Sequence, residues 1–132
     1  MTGSFLEALA KQTPVPGGGA AAAYAGAVGL ALLEKIVRVE LQRQPTDSGL
    51  QSFWDELLKQ VRSLAKTLIQ LRDEDGREYM RFAEAKAAGL GEKDIVAALE
   101  RAIESPMKIM EAGHESLDSV STVGKRCKKH LL

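Results

Sequence analysis

Thr13-Pro14-Val15-Pro16-Gly17-Gly18-Gly19-Ala20-Ala21-Ala22-Ala23 joins two prolines to three glycines and then to an alanine run. The prolines fix an extended approach and deny it helix. The alanines are strong helix formers, so a helix starts at about Gly18. With no Cβ at 17, 18 and 19, the backbone there can come close to another group. The first turn of a helix has unpaired N–H groups and partial positive charge, which makes this loop a candidate seat for phosphate or carboxylate. A tight elbow before a close-packed helix accounts for the same residues. A Walker A loop would end in Gly-Lys-Ser/Thr, and a dinucleotide fingerprint would follow a strand. Neither condition holds here.

From this loop outward the chain reads as helix. Few residues are aromatic (Phe5, Tyr24, Phe53, Trp54, Tyr79, Phe82), β-branched runs are scarce, and Ala, Leu, Glu, Lys, Arg and Gln dominate. That composition predicts an all-α protein, and 132 residues suit one domain over 1–132. Ser4 and Glu7 have the capping-box spacing and predict a short helix over 4–11. The second helix runs from Gly18 to about Gln42. Its small residues Ala22, Ala23, Gly26, Gly29 and Ala31 admit a close neighbour, and Val28, Leu32, Leu33, Ile36 and Val37 add bulk elsewhere. A helix apolar nearly all round is buried on several sides, so a homodimer is expected. The run 17–33 is uncharged, but it is rich in Gly and Ala and ends at Glu34-Lys35. It reads as a buried helix rather than a membrane span.

Gln44-Pro45-Thr46-Asp47-Ser48-Gly49 is a loop with capping residues. A long third helix follows from about Leu50 to Ala88, with Phe53, Leu57, Val61, Leu64, Leu68, Leu71 and Asp75 at three- to four-residue steps. Gly89-Leu90-Gly91 ends it. A fourth helix starts near Glu92, with Ile95, Leu99, Ala102 and Ile103 as its inner stripe. Ser105-Pro106 either kinks it or restarts it. Met107, Met110, His114, Leu117 and Val120 continue the stripe toward Gly124.

Residues 1–124 carry 14 basic and 18 acidic groups and so a net −4, which argues against a nucleic-acid binder. Lys125, Arg126, Lys128 and Lys129 restore neutrality and suit a helix C-terminus. The lone Cys127 fits a reducing compartment, and a cytoplasmic location is expected. His114 and His130 lie 16 residues apart, without zinc-ligand spacing. No secretory signal is visible at the N-terminus.

Asp75 is the acid of most interest. Its register with Leu68 and Leu71 puts it on an apolar face, where a carboxylate is costly unless paired or functional. A buried ion pair to Arg38 or Arg72 satisfies it, and so does service as a general base. Arg38, near the inner face of the second helix, can pair Asp75 or hold a substrate carboxylate with its planar fork. Lys11 adds positive charge just before the glycine loop. His114, on an apolar stripe, reads as a core histidine and receives no role.

Pro14-Val15-Pro16-Gly17-Gly18-Gly19-Ala20 resembles the signature of the cyclodeaminase/cyclohydrolase family of folate-handling helical domains. The resemblance continues in order through Gly26 to Arg38, Asp73-Glu74-Asp75-Gly76-Arg77-Glu78-Tyr79, and Ala102-Ile103-Glu104-Ser105-Pro106-Met107. It implies an up-and-down bundle of long antiparallel helices that dimerises. It also implies a tetrahydrofolate derivative bound near Pro16, Gly17, Gly18 and Gly19, with Asp75 as the catalytic acid and Arg38 and Lys11 as further substrate contacts. No metal and no cofactor beyond the folate substrate is implied. Members of the family continue past a segment like Gly124–Leu132. The resemblance therefore implies a domain short at its C-terminus, with apolar surface left for a partner chain to cover.

Overall fold

The computed structural model describes residues 2–43 and 47–127. Four helices account for nearly all of them: α1 (Thr2–Leu9), α2 (Gly18–Gln42), α3 (Ser48–Ala87) and α4 (Glu92–Arg126). No strand occurs among the described residues. The protein is all-α, with α2 packed chiefly on α3 and α3 on α4. α2 falls at the boundaries the sequence predicts; α4 starts where expected and runs two residues past Gly124, to Arg126. α3 begins two residues earlier because Asp47 caps it, its Oδ1 accepting the Gly49 N–H at 2.8 Å. α1 starts before Ser4, so Ser4 lies within the helix and not at its cap. Gln44, Pro45, Thr46 and the tail from Lys128 through His130 to Leu132 lie outside the described residues.

The core follows the α3 stripe closely. Leu57, Val61, Leu68 and Leu71 are buried, with Phe53 and Leu64 packed beside them. Trp54, which the stripe left out, is its largest fully buried side chain. From α2 come Ala20, Ala23, Ala27, Leu30, Leu33 and Val37. Gly26 meets α3 so closely that a Cβ there would stand 2.9 Å from Leu68 Cδ1. Ile36 is half-buried against the same core; the remaining α2 residues expected to pack do not. Ala22, Gly29 and Ala31 are exposed, and Val28 and Leu32 are exposed large apolar residues, so α2 has one buried face and one open one. By length and composition alone α2 would also pass for a membrane span.

In α4 most of the expected inner stripe faces outward, with Ile95 and Ala102 half-buried. Leu99, Ile103, Met107, Met110, Leu117 and Val120 are exposed, as is His114, which is no core histidine. The buried residues are Ala98, Ser105, Ile109, Ala112, Ser119 and Val123. Ala98, Ser105, Ala112 and Ser119 recur every seven residues, a row of small side chains that lets the helix lie close to its neighbours. Pro106 neither ends nor restarts the helix, which runs through it. The lost hydrogen bond costs about 3 kcal/mol, which packing on α3 and α2 must outweigh.

Candidate functional site

α2 begins without a cap of its own. Its N-cap residue is Gly17, which has no side chain to offer the first turn. The missing acceptor comes from α3. Asp75 takes the backbone N–H of Ala20, the third helical residue after Gly17 and the donor that an N-cap Ser or Asp would ordinarily satisfy. The carboxylate reaches this far only because residue 19 is glycine. A Cβ there would lie 2.8 Å from Asp75 Oδ2 and 3.0 Å from Cγ and Oδ1. The helix start does attract an anion, as its geometry predicts, and that anion is the protein's own.

Burial raises the Asp75 pKa above the ordinary carboxylate value, and the Ala20 hydrogen bond partly opposes the rise. The expected ion pairs are not formed. Arg38 Nε bonds Glu34 Oε2 at 2.8 Å on an exposed face of α2. It also stands 19 residues beyond Gly19, or about 28 Å along the helix, so within one chain it is not part of the loop site. Arg72 Nε bonds Asp73 Oδ1 at 3.1 Å. The Arg72 guanidinium lies 4.9 Å from the Phe5 ring centroid and 5.6 Å from that of Tyr24, tying α1 to α2 and α3 by cation–π contact. Lys11 is exposed at the end of α1, its N–H bonded to the Ala8 carbonyl.

One turn beyond Asp75 is a second carboxylate, Glu78. Its Oε1 accepts from Arg81 Nη1 at 2.6 Å, and its Oε2 is buried without a hydrogen-bond partner among the described residues. The i, i+3 spacing to Asp75 was readable in the sequence, but the burial was not, since the surrounding Asp-Glu-Asp-Gly-Arg-Glu run looks like solvated surface.

On the other side of the loop, α1, Val15-Pro16 and α3 enclose a groove of about 630 Å³. Phe5, Val15, Pro16 and Met80 supply apolar walls, and Arg72, Arg77 and Arg81 supply positive charge. The Val15–Pro16 peptide is cis. Gly76 of α3 sits against Val15. The size and the mixture of apolar wall and few charged groups suit a small organic ligand. Pro16 lines this groove and Gly19 touches Asp75, so one loop borders both features. Among the described residues no cluster of His, Cys, Asp and Glu is arranged to hold a metal ion.

An all-helical domain whose glycine-rich helix start docks an acid from a long neighbouring helix defines the class. The formiminotransferase-cyclodeaminase family profile matches residues 1–132. The chain belongs to that family, whose name denotes folate-related one-carbon chemistry. No curated protein matches the chain.

Proposed function

We propose that the chain is a folate-dependent one-carbon enzyme that hydrolyses methenyltetrahydrofolate or closes formiminotetrahydrofolate with loss of ammonia. The observation that carries this reading is Asp75, a half-buried carboxyl of raised pKa held against the Pro16-Gly17-Gly18-Gly19 loop in a chain of this family. Methenyltetrahydrofolate holds a cationic carbon between two nitrogens. Water adds to that carbon, one C–N bond breaks, and the freed nitrogen takes a proton, leaving a formyl group and one proton released. Asp75 would accept the proton of the attacking water, and its negative charge would favour the cation before attack. A carboxyl whose pKa is raised toward working pH suits proton exchange better than an ordinary one. Neither reaction transfers electrons, and neither calls for a metal or a cofactor beyond the folate.

In this reading Pro16 and the three glycines form the wall nearest the reacting carbon, and Lys11 lends positive charge at the loop entrance. Arg38 has no part in a site built from one chain. The enzyme would act in the cytoplasm as a homodimer, for which the open apolar faces of α2 and α4 provide surface.

A second reading has its own observation. Asp75 already satisfies Ala20 and so caps α2; with that as its whole role, the domain is a non-catalytic helical module that binds folate or a partner. Consumption of methenyltetrahydrofolate by purified protein, followed by near-ultraviolet absorbance and corrected for spontaneous hydrolysis, separates the two. The enzyme reading predicts a rate above background. Absence of a rate with methenyl and with formimino substrate, in folded protein, leaves the non-catalytic module.

A further inference from the structure

The groove beside the loop holds an unused cation. Of its three arginines, Arg72 is bonded to Asp73 and stacked on Phe5 and Tyr24, and Arg81 is bonded to Glu78. Arg77 lines the same groove, is exposed, and has no ion-pair partner among the described residues. The groove carries Arg72, Arg77 and Arg81 against Asp73 and Glu84, so its wall is net positive by one charge. It extends along α3 from Arg72 to Glu84, about 18 Å at the helical rise. That length accommodates an extended aromatic-plus-amino-acid tail.

We infer that Arg77 receives the carboxylates of the substrate's p-aminobenzoyl-glutamate tail, with the benzoyl ring lying on Val15, Pro16 and Met80. This assignment rests on the folate reading above and adds the end at which the substrate's negative charge is held. Two observations favour Arg77 over the glycine loop for that charge. The N-terminus of α2 already holds the Asp75 carboxylate, which would repel a second one. Arg77, in contrast, keeps its whole planar fork free for a carboxylate. The loop, with Pro16 on the groove and Gly19 on Asp75, then separates the tail subsite from the reacting end.

The test uses p-aminobenzoylglutamate and p-aminobenzoate as calorimetric probes on the wild-type chain and on Arg77→Gln and Arg77→Lys. The expected result is that the glutamate-bearing probe binds wild type more tightly than p-aminobenzoate. Arg77→Gln should weaken it by about 10- to 100-fold, the scale of a two-pronged charge-assisted bond, and Arg77→Lys should recover part of the loss. In turnover of methenyltetrahydrofolate the Arg77→Gln loss should fall on KM rather than kcat. Equal binding of the two probes by wild type, or unchanged binding by a folded Arg77→Gln, overturns the subsite whatever the turnover. Probe binding that depends on Arg77 in a chain without turnover upholds the subsite and removes only the enzyme reading.

Discussion

A Cβ at position 19 would stand 2.8 Å from Asp75 Oδ2, and this contact ties the glycine loop to the long helix. Gly19→Ala must push the carboxylate away and release the Ala20 N–H. Asp75→Ala removes the acceptor outright. Loss of a helix N-cap costs about 1 kcal/mol, so each variant should lower the denaturant midpoint by a corresponding amount. Asp75→Asn keeps an oxygen for Ala20 and removes the charge. Because burial raises the Asp75 pKa, the folded state binds its proton more tightly than the unfolded state does. The ionised carboxylate therefore costs stability once pH rises through that raised pKa, and the protonated form carries no such cost. The stability of Asp75→Asn relative to wild type should increase from acid to neutral pH in chemical denaturation. A constant difference would mean that Asp75 is not desolvated. The special status of Asp75 was legible from its register with Leu68 and Leu71. Its partner was not, because the acceptor and the helix it caps are more than fifty residues apart in sequence, and nothing local marks the pairing.

At the scale of elements, the punctuation of the chain was readable and the facing of its helices only partly so. Gly18, Glu92 and the Gly89-Leu90-Gly91 stop mark boundaries through backbone chemistry that acts locally. Which side of α2 meets α3 depends on tertiary packing, and two of its glycines show the difference. Gly26 lies against Leu68 Cδ1 with room for no more than hydrogen, whereas a Cβ at Gly29 would meet nothing within 4 Å. Gly26→Ala should destabilise by about 1–3 kcal/mol through overpacking. Gly29→Ala should stabilise by up to about 1 kcal/mol through helix propensity. Thermal unfolding of the pair checks both signs. In α4 the largest apolar residues were read as core because bulk usually marks the inside. The inner row is instead Ala98, Ser105, Ala112 and Ser119, where small size is the qualification. Ala112→Leu should therefore cost about 1–3 kcal/mol.

For the whole molecule, Val96, Ile103, Met110 and Leu117 recur every seven residues on the outside of α4, and Val28 and Leu32 lie open on α2. Exposed apolar rows of this kind mark a contact face, which supports the proposed homodimer. Sedimentation velocity should give twice the single-chain mass at micromolar concentration, and a monomer throughout the accessible range would remove that proposal. The all-α class and the family were legible from the glycine loop and composition. The groove was not, because it is assembled from α1, the loop and α3, and its arginines are scattered among ordinary surface charges. Within one chain Arg38 lies far from the loop for the related reason that a helix of 25 residues puts its two ends far apart, a distance that sequence order hides.

In the proposed enzyme Asp75 does chemistry at the loop and is more than a cap. The most direct measurement compares wild type with Asp75→Asn in two readings on the same preparations, methenyltetrahydrofolate consumption and unfolding midpoint. The predicted result is a rate lower by about 10²- to 10⁴-fold with the midpoint held or raised. An Asp75→Asn protein that turns substrate over at the wild-type rate would contradict the claim and leave Asp75 as the cap of α2 alone.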